Sequence, residues 1–156
     1  MTRTLASLLL AFICSSTHAY KVGDSVDPTV LNKLGVDHGK ITVVDFFAEW
    51  CSSCRKEIPL ISALNSRIDK KAVEIMGVDA DDTLAAASAF QKELQAKGAL
   101  NFRVSNDIDQ SLVRLFKPKG FPALYLLKDG KVASIHFGAM PDIDQIIETD
   151  LQKLGN

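Results

Sequence analysis

The chain has 156 residues, 47% of them hydrophobic, which is enough for one substantial core without help from metals or structural disulfides. Its 18 basic residues stand against 19 acidic ones for a formal net charge of -1, so no electrostatic footprint marks a nucleic acid as a partner. After the first twenty residues no stretch is apolar for the roughly 20 residues a bilayer crossing needs, and that remainder is expected to be soluble.

Residues 1–19 read as a signal peptide. Arg3 gives a positive start, Leu5 to Ile13 an apolar run too short for an ordinary transmembrane helix, and Thr17-His18-Ala19 a small-residue cleavage site lacking the first Ala of Ala-x-Ala. An uncleaved anchor is the competing reading. Phe12 and Ile13 stand where a lipoprotein site needs small residues, so Cys14 is read as a passive hydrophobe. The expectation is an extracytoplasmic, in bacteria periplasmic, domain over residues 20–156 whose remaining cysteines are Cys51 and Cys54.

Ile41 to Ala48 is apolar and rich in β-branched and aromatic residues, as a strand buried on both faces requires. From Cys51 to Asp69, Ile58, Ile61, Leu64 and Ile68 recur at helical spacing, with Pro59 predicting a kink. Val73 to Val78 predicts a strand, Thr83 to Lys97 an Ala-rich helix, Phe102 to Ser105 a short strand and Ile108 to Phe116 a helix. Asp129-Gly130 between Ala123–Leu127 and Val132–Phe137 is a strong hairpin signal. Ile143, Ile146, Ile147, Leu151 and Leu154 form one stripe of a closing amphipathic helix. The sum is an α/β fold with a mixed central β-sheet sandwiched by helices.

Cys51 falls where a buried strand gives way to a helix, so free amides and the positive end of the helix dipole favour its thiolate, the nucleophilic form. Cys54 follows one helical turn later, close enough to attack a mixed disulfide formed on Cys51. A loop this small restricts the unfolded chain little, so the pair is more useful for chemistry than for stability. A zinc site is the structural alternative, but the pair supplies only half of four ligands, and His38 and His136 show no ligand spacing. Asp45 interrupts an otherwise apolar strand; burial there raises its pKa, unless it faces solvent at an edge. Glu49 is read as an exposed or half-exposed charge without a catalytic step, and the basic residues after Cys54 as a solvated helix face.

The segment Val43-Val44-Asp45-Phe46-Phe47-Ala48-Glu49-Trp50-Cys51-Ser52-Ser53-Cys54-Arg55 resembles the active-site segment of the thioredoxin superfamily. Gly120-Phe121-Pro122-Ala123, then Lys128-Asp129-Gly130 and Gly138, resembles its cis-proline loop, hairpin and closing glycine. The signal region, Gly39-Lys40 and an inserted helix-strand segment spanning Asp81 to Asn106 are similar to the exported TlpA/ResA-like branch. The resemblance implies a thioredoxin fold, Cys51 as attacking and Cys54 as resolving cysteine, and Asp45 as the buried acid that moves a proton to or from Cys54. It implies a cis peptide before Pro122, with Phe121 offering a recognition edge to an extended substrate. Trp50 is either a substrate contact or an ordinary aromatic. Thioredoxins often carry a lysine near the position read here as Ile75, and its absence removes that cationic partner from the acid.

The function expected is thiol–disulfide exchange on extracytoplasmic proteins, with protein disulfides as substrates, a membrane dithiol as electron donor and no cofactor. Ser52-Ser53 leaves the direction open, because 30 mV corresponds to about 1.4 kcal/mol for this couple. Haem-attachment proteins are one substrate class of TlpA/ResA-like relatives, ranked below general disulfide reduction. The alternative is a soft-metal module in which Cys51 and Cys54 hold copper, with Met76 or Met140 as further ligands.

Overall fold

A computed structural model describes residues 18–155. The signal-peptide reading, apart from its last two residues, and Cys14 lie outside them. Five strands form one sheet in the order β3-β2-β1-β4-β5, which puts the first strand at its centre. Strand β1 (Ile41–Phe47) is buried along its whole length, as its β-branched and aromatic run predicts. It pairs in parallel with β2 (Val73–Asp79) and antiparallel with β4 (Ala123–Lys128). The edges are β3 (Arg103–Asn106), parallel to β2, and β5 (Lys131–Phe137), antiparallel to β4. The expected hairpin joins the last two strands, and Asp129 and Gly130 both take positive φ, at 51° and 70°.

Because strand side chains alternate, β1 divides the interior into two cores. Val43 and Phe47 face one core, closed by Ile58, Ile61 and Leu64 of α2 (Cys54–Arg67), Phe90 and Leu94 of α3 (Leu84–Ala96), and Ile143, Ile147 and Leu151 of α5 (Ile143–Lys153). Val44 and Phe46 face the other, with Leu112 and Phe116 of α4 (Ser111–Phe116) and Val30, Leu31 and Leu34 of α1 (Pro28–Leu34). The mixed sheet sandwiched by helices is therefore as expected, and α3 with β3 is the expected inserted segment between β2 and α4.

Three local departures have physical causes. Helix α1 was not anticipated, although Asp27 caps it by accepting the Thr29 amide at 2.7 Å, Pro28 opens it and Gly35 closes it at φ 64°. Regular α2 starts at Cys54 rather than Cys51, because residues 51–53 form a turn ahead of it. Helix α4 starts three residues later than predicted, at Ser111. The buried Asp107 carboxylate takes the Leu112 and Val113 amides at 2.9 Å each and fixes that start.

Candidate active site

Strand β1 ends at Phe47, and four residues later Cys51 meets the N-terminal end of the 14-residue α2. Cys51 and Cys54 are joined by a disulfide. Cys54 is fully buried and Cys51 only 6% exposed, so the first sulfur is the one nearer solvent. The Cys54 amide donates to Cys51 Sγ at 3.2 Å, and the Arg55 amide donates to the Cys51 carbonyl at 3.3 Å. The Ser53 hydroxyl lies 3.5 Å from the same sulfur. Backbone and hydroxyl donors thus converge where a Cys51 thiolate would carry its charge.

Asp45 is fully buried, not at an edge, and burial together with the charge of Glu57 pushes its carboxyl well above the ordinary range. Neither carboxyl oxygen has a hydrogen-bond partner. Its place in β1 between Val43 and Phe47 puts it on the face that α2 covers, the face of both cysteines. Its partner across the β2 ladder is Gly77, whereas Ile75 pairs with Val43; the position beside the acid is therefore Gly77. A Cβ built there would meet the Phe47 ring at 2.5 Å, so neither lysine nor any other side chain fits.

Glu57 is the residue sequence reasoning passed over. Only 2% exposed, it sits one turn beyond Cys54 on the buried stripe that continues through Ile58 and Ile61. Burial raises its pKa to about 7, and neither of its carboxyl oxygens has a hydrogen-bond partner. The signal was the spacing: a carboxylate three residues after Cys54 must share its face of the helix.

The peptide between Phe121 and Pro122 is cis. Phe121 stacks on Trp50, ring centroids 5.5 Å apart and planes at 29°, and Trp50 remains 67% exposed. An apolar shelf thus stands beside Cys51. The structure places Cys51, Cys54 and Asp45 along one core face and stacks Phe121 on the exposed Trp50 beside Cys51, while Pro122, joined to Phe121 by the cis peptide, is buried. Arg55 is not merely solvated, since it reaches Glu93 at 3.0 Å and lies over the Phe90 ring at 4.5 Å. His136 pairs with Asp150 at 2.8 Å on β5 and α5, and His38 is exposed; neither joins the cysteines.

The family pattern of thioredoxin-like proteins matches residues 39–132, more than half of the chain. The chain belongs to the thioredoxin-like family. It is 32% identical over 117 residues to the thiol-disulfide oxidoreductase ResA of Bacillus cereus, covering 74% of this chain and 64% of that protein. A Bacillus thuringiensis ResA is 34% identical over 95 residues, covering 60% and 53%, so the chain spans between about half and two thirds of these relatives.

A solved Chlorobium tepidum structure, described as a putative thiol:disulfide interchange protein DsbE, has 25% identity and a TM-score of 0.72 over 86% of this chain and 98% of its own. A secreted Mycobacterium tuberculosis disulfide oxidoreductase homologous to E. coli DsbE has 25% identity and a TM-score of 0.60, covering 74% and 83%. The mixed sheet flanked by helices is that of this thioredoxin-like family.

Among the described residues no cluster of three or more His, Cys, Asp or Glu side chains is placed to hold a metal. Met76 packs in the opposite core from the cysteines, so the copper alternative loses one of its named ligands. No helix of the described residues is long and apolar enough to cross a membrane.

Proposed function

We propose that this thioredoxin-like protein is a thiol–disulfide oxidoreductase that reduces disulfides of extracytoplasmic proteins. The observation that carries the proposal is the Cys51–Cys54 disulfide at the start of α2, with the Cys54 amide on the outer sulfur. In the reduced protein the Cys51 thiolate attacks a substrate disulfide; a Cys51–substrate bond forms and one substrate thiolate leaves. Cys54 then loses its proton, attacks Cys51 Sγ, and releases the second substrate thiolate, which is protonated. Two electrons pass to the substrate, and this chain ends with Cys51 and Cys54 oxidised.

Asp45 and Glu57 are the proposed acceptors of the Cys54 proton, since both are buried on its face, burial raises both carboxyls above their ordinary range, and Glu57 titrates at about 7. Trp50, Phe121 and Pro122 are proposed to hold an extended substrate segment against Cys51. A membrane dithiol is the proposed electron donor that returns the pair to its reduced state. Export through residues 1–19, leaving a domain over 20–156, is supported by the charge and hydropathy of that segment and by the secreted relative. Reduction of insulin with dithiothreitol as donor tests the activity: acceleration that disappears in Cys51→Ser is expected, and no acceleration above the donor alone would contradict it.

A further inference from the structure

The two residues between Ala48 and Cys51 are held from both sides. The Glu49 amide donates to both carboxylate oxygens of Asp81, at 3.1 Å each. On the other side, Arg55 Nε donates to the Glu49 carbonyl at 3.3 Å, and Arg55 Nη2 lies 3.7 Å from the Glu49 carboxylate. Arg55 is itself fixed by Glu93, at 3.0 and 3.1 Å to its two oxygens, and by the Phe90 ring beneath it. Both peptide groups that flank Glu49 are therefore clamped immediately before Trp50 and Cys51.

Asp81 is a costly residue for this task. It is 2% exposed, close to the acids Asp79 and Asp82, and burial raises its pKa to about 6. A buried acid beside like charges weakens a fold unless its oxygens satisfy something the fold must hold. Asp81 is also fixed at its own end. Its amide donates to Asp79 Oδ1 at 3.0 Å, the Ala80 amide donates to the Phe47 carbonyl at 2.9 Å, and the Gln110 side chain donates to the Ala80 carbonyl at 2.8 Å.

Asp81, Phe90 and Glu93 all belong to the inserted segment from Asp81 to Asn106. We propose that this insertion is a brace for the loop carrying the attacking cysteine, with Asp81 as a positioning residue that acts on Cys51 through the Glu49 amide. The inference rests on the exchange function proposed above and adds to it a task for the insertion. A loop held at both Glu49 peptides keeps the Cys51 sulfur under the donors of α2; a slack loop lets it leave them.

Trp50 is the chain's one tryptophan, so its fluorescence reports on this loop directly. The test measures iodoacetamide alkylation of Cys51 and acrylamide quenching of Trp50 in the full chain carrying Cys54→Ala, alone and combined with Asp81→Ala or Asp81→Asn. In Asp81→Ala alkylation is expected to fall about tenfold and quenching to rise about twofold, while Asp81→Asn, which keeps an acceptor oxygen in place, stays within about twofold of the parent. Removing an acid merely as a charge would speed alkylation in both variants alike, and that result would overturn the brace. Should Asp81→Ala not fold, Glu93→Ala releases Arg55 instead; an alkylation rate and quenching equal to the parent's would equally overturn it. A parent Cys51 no faster than a free peptide thiol would sink the exchange function itself, whatever the Asp81 variants do.

Discussion

Asp45 and Glu57 are two carboxyls buried on the same face of the sheet, and the charge of Glu57 adds to burial in raising the Asp45 pKa. Neither acid serves stability. Each is a group whose protonated form the folded state prefers, which suits a site where a buried thiol must lose and regain a proton.

For Asp45 the sign is fixed by its raised folded pKa, set by burial first and Glu57 second. Unfolded, it ionises near the usual value of 3.8, so above that pH the folded chain binds the extra proton and stability falls as pH rises. Asp45→Asn is expected to lessen the loss of stability that the oxidised protein shows as pH rises above 3.8, read by urea unfolding. The same variant is expected to slow insulin reduction by about tenfold or more, because the Cys54 proton loses an acceptor. Unchanged turnover would remove Asp45 from the proton path.

Glu57 has a defined window, between its ordinary 4.5 and about 7 in the folded protein. Stability tied to the protonated acid is present below the lower value and is lost as pH climbs to the upper one, a change of about 3 kcal/mol. Glu57→Gln is expected to remove that part of the slope, leaving the part due to Asp45. It is also expected to displace any inflection near neutrality in the rate at which Cys54 resolves a mixed disulfide. A variant with the wild-type stability profile would mean that Glu57 finds a charge-accepting environment.

Gly77 makes a structural prediction. A methyl there would come within 2.5 Å of the Phe47 ring and 3.3 Å of Phe102. Gly77→Ala is expected to destabilise the protein by about 1–3 kcal/mol in urea unfolding, the usual cost of overpacking a filled core. Because Gly77 also neighbours Asp45 on the sheet, the displaced Phe47 is expected to slow turnover as well.

Much of the fold was legible in the sequence because each element carries a periodic signal. The buried run Ile41–Phe47, the α2 stripe and the Asp129-Gly130 turn all appear where composition and spacing put them. Helix α1 was passed over because seven residues carry too few turns for periodicity, although its Asp27 cap, Pro28 and Gly35 were in view. At the site, Cys51, Cys54 and Asp45 stand out by type against their surroundings. Glu57 does not, since a glutamate in a helix resembles any solvated residue until the face it occupies is counted from Cys54. The grip of Asp81 on the Glu49 amide joins residues 32 positions apart through backbone, which no pattern of side-chain types encodes.

Trp50 and Phe121 form an exposed shelf whose rings stack 5.5 Å apart. Trp50→Ala is expected to raise KM for a protein disulfide by about tenfold, as loss of an interface aromatic does, while reduction of a small disulfide stays within about twofold. Equal losses on both substrates would assign Trp50 to the reacting cysteines instead of to substrate binding.

The most direct test is trapping with Cys54→Ala in the reduced protein mixed with a disulfide-containing protein such as insulin. A covalent adduct joined through Cys51, stable until a thiol is added and absent in a Cys51→Ala, Cys54→Ala double variant, is the outcome required if Cys51 attacks and Cys54 resolves. Recovery of both proteins without any adduct at neutral pH would contradict the exchange chemistry at its first step.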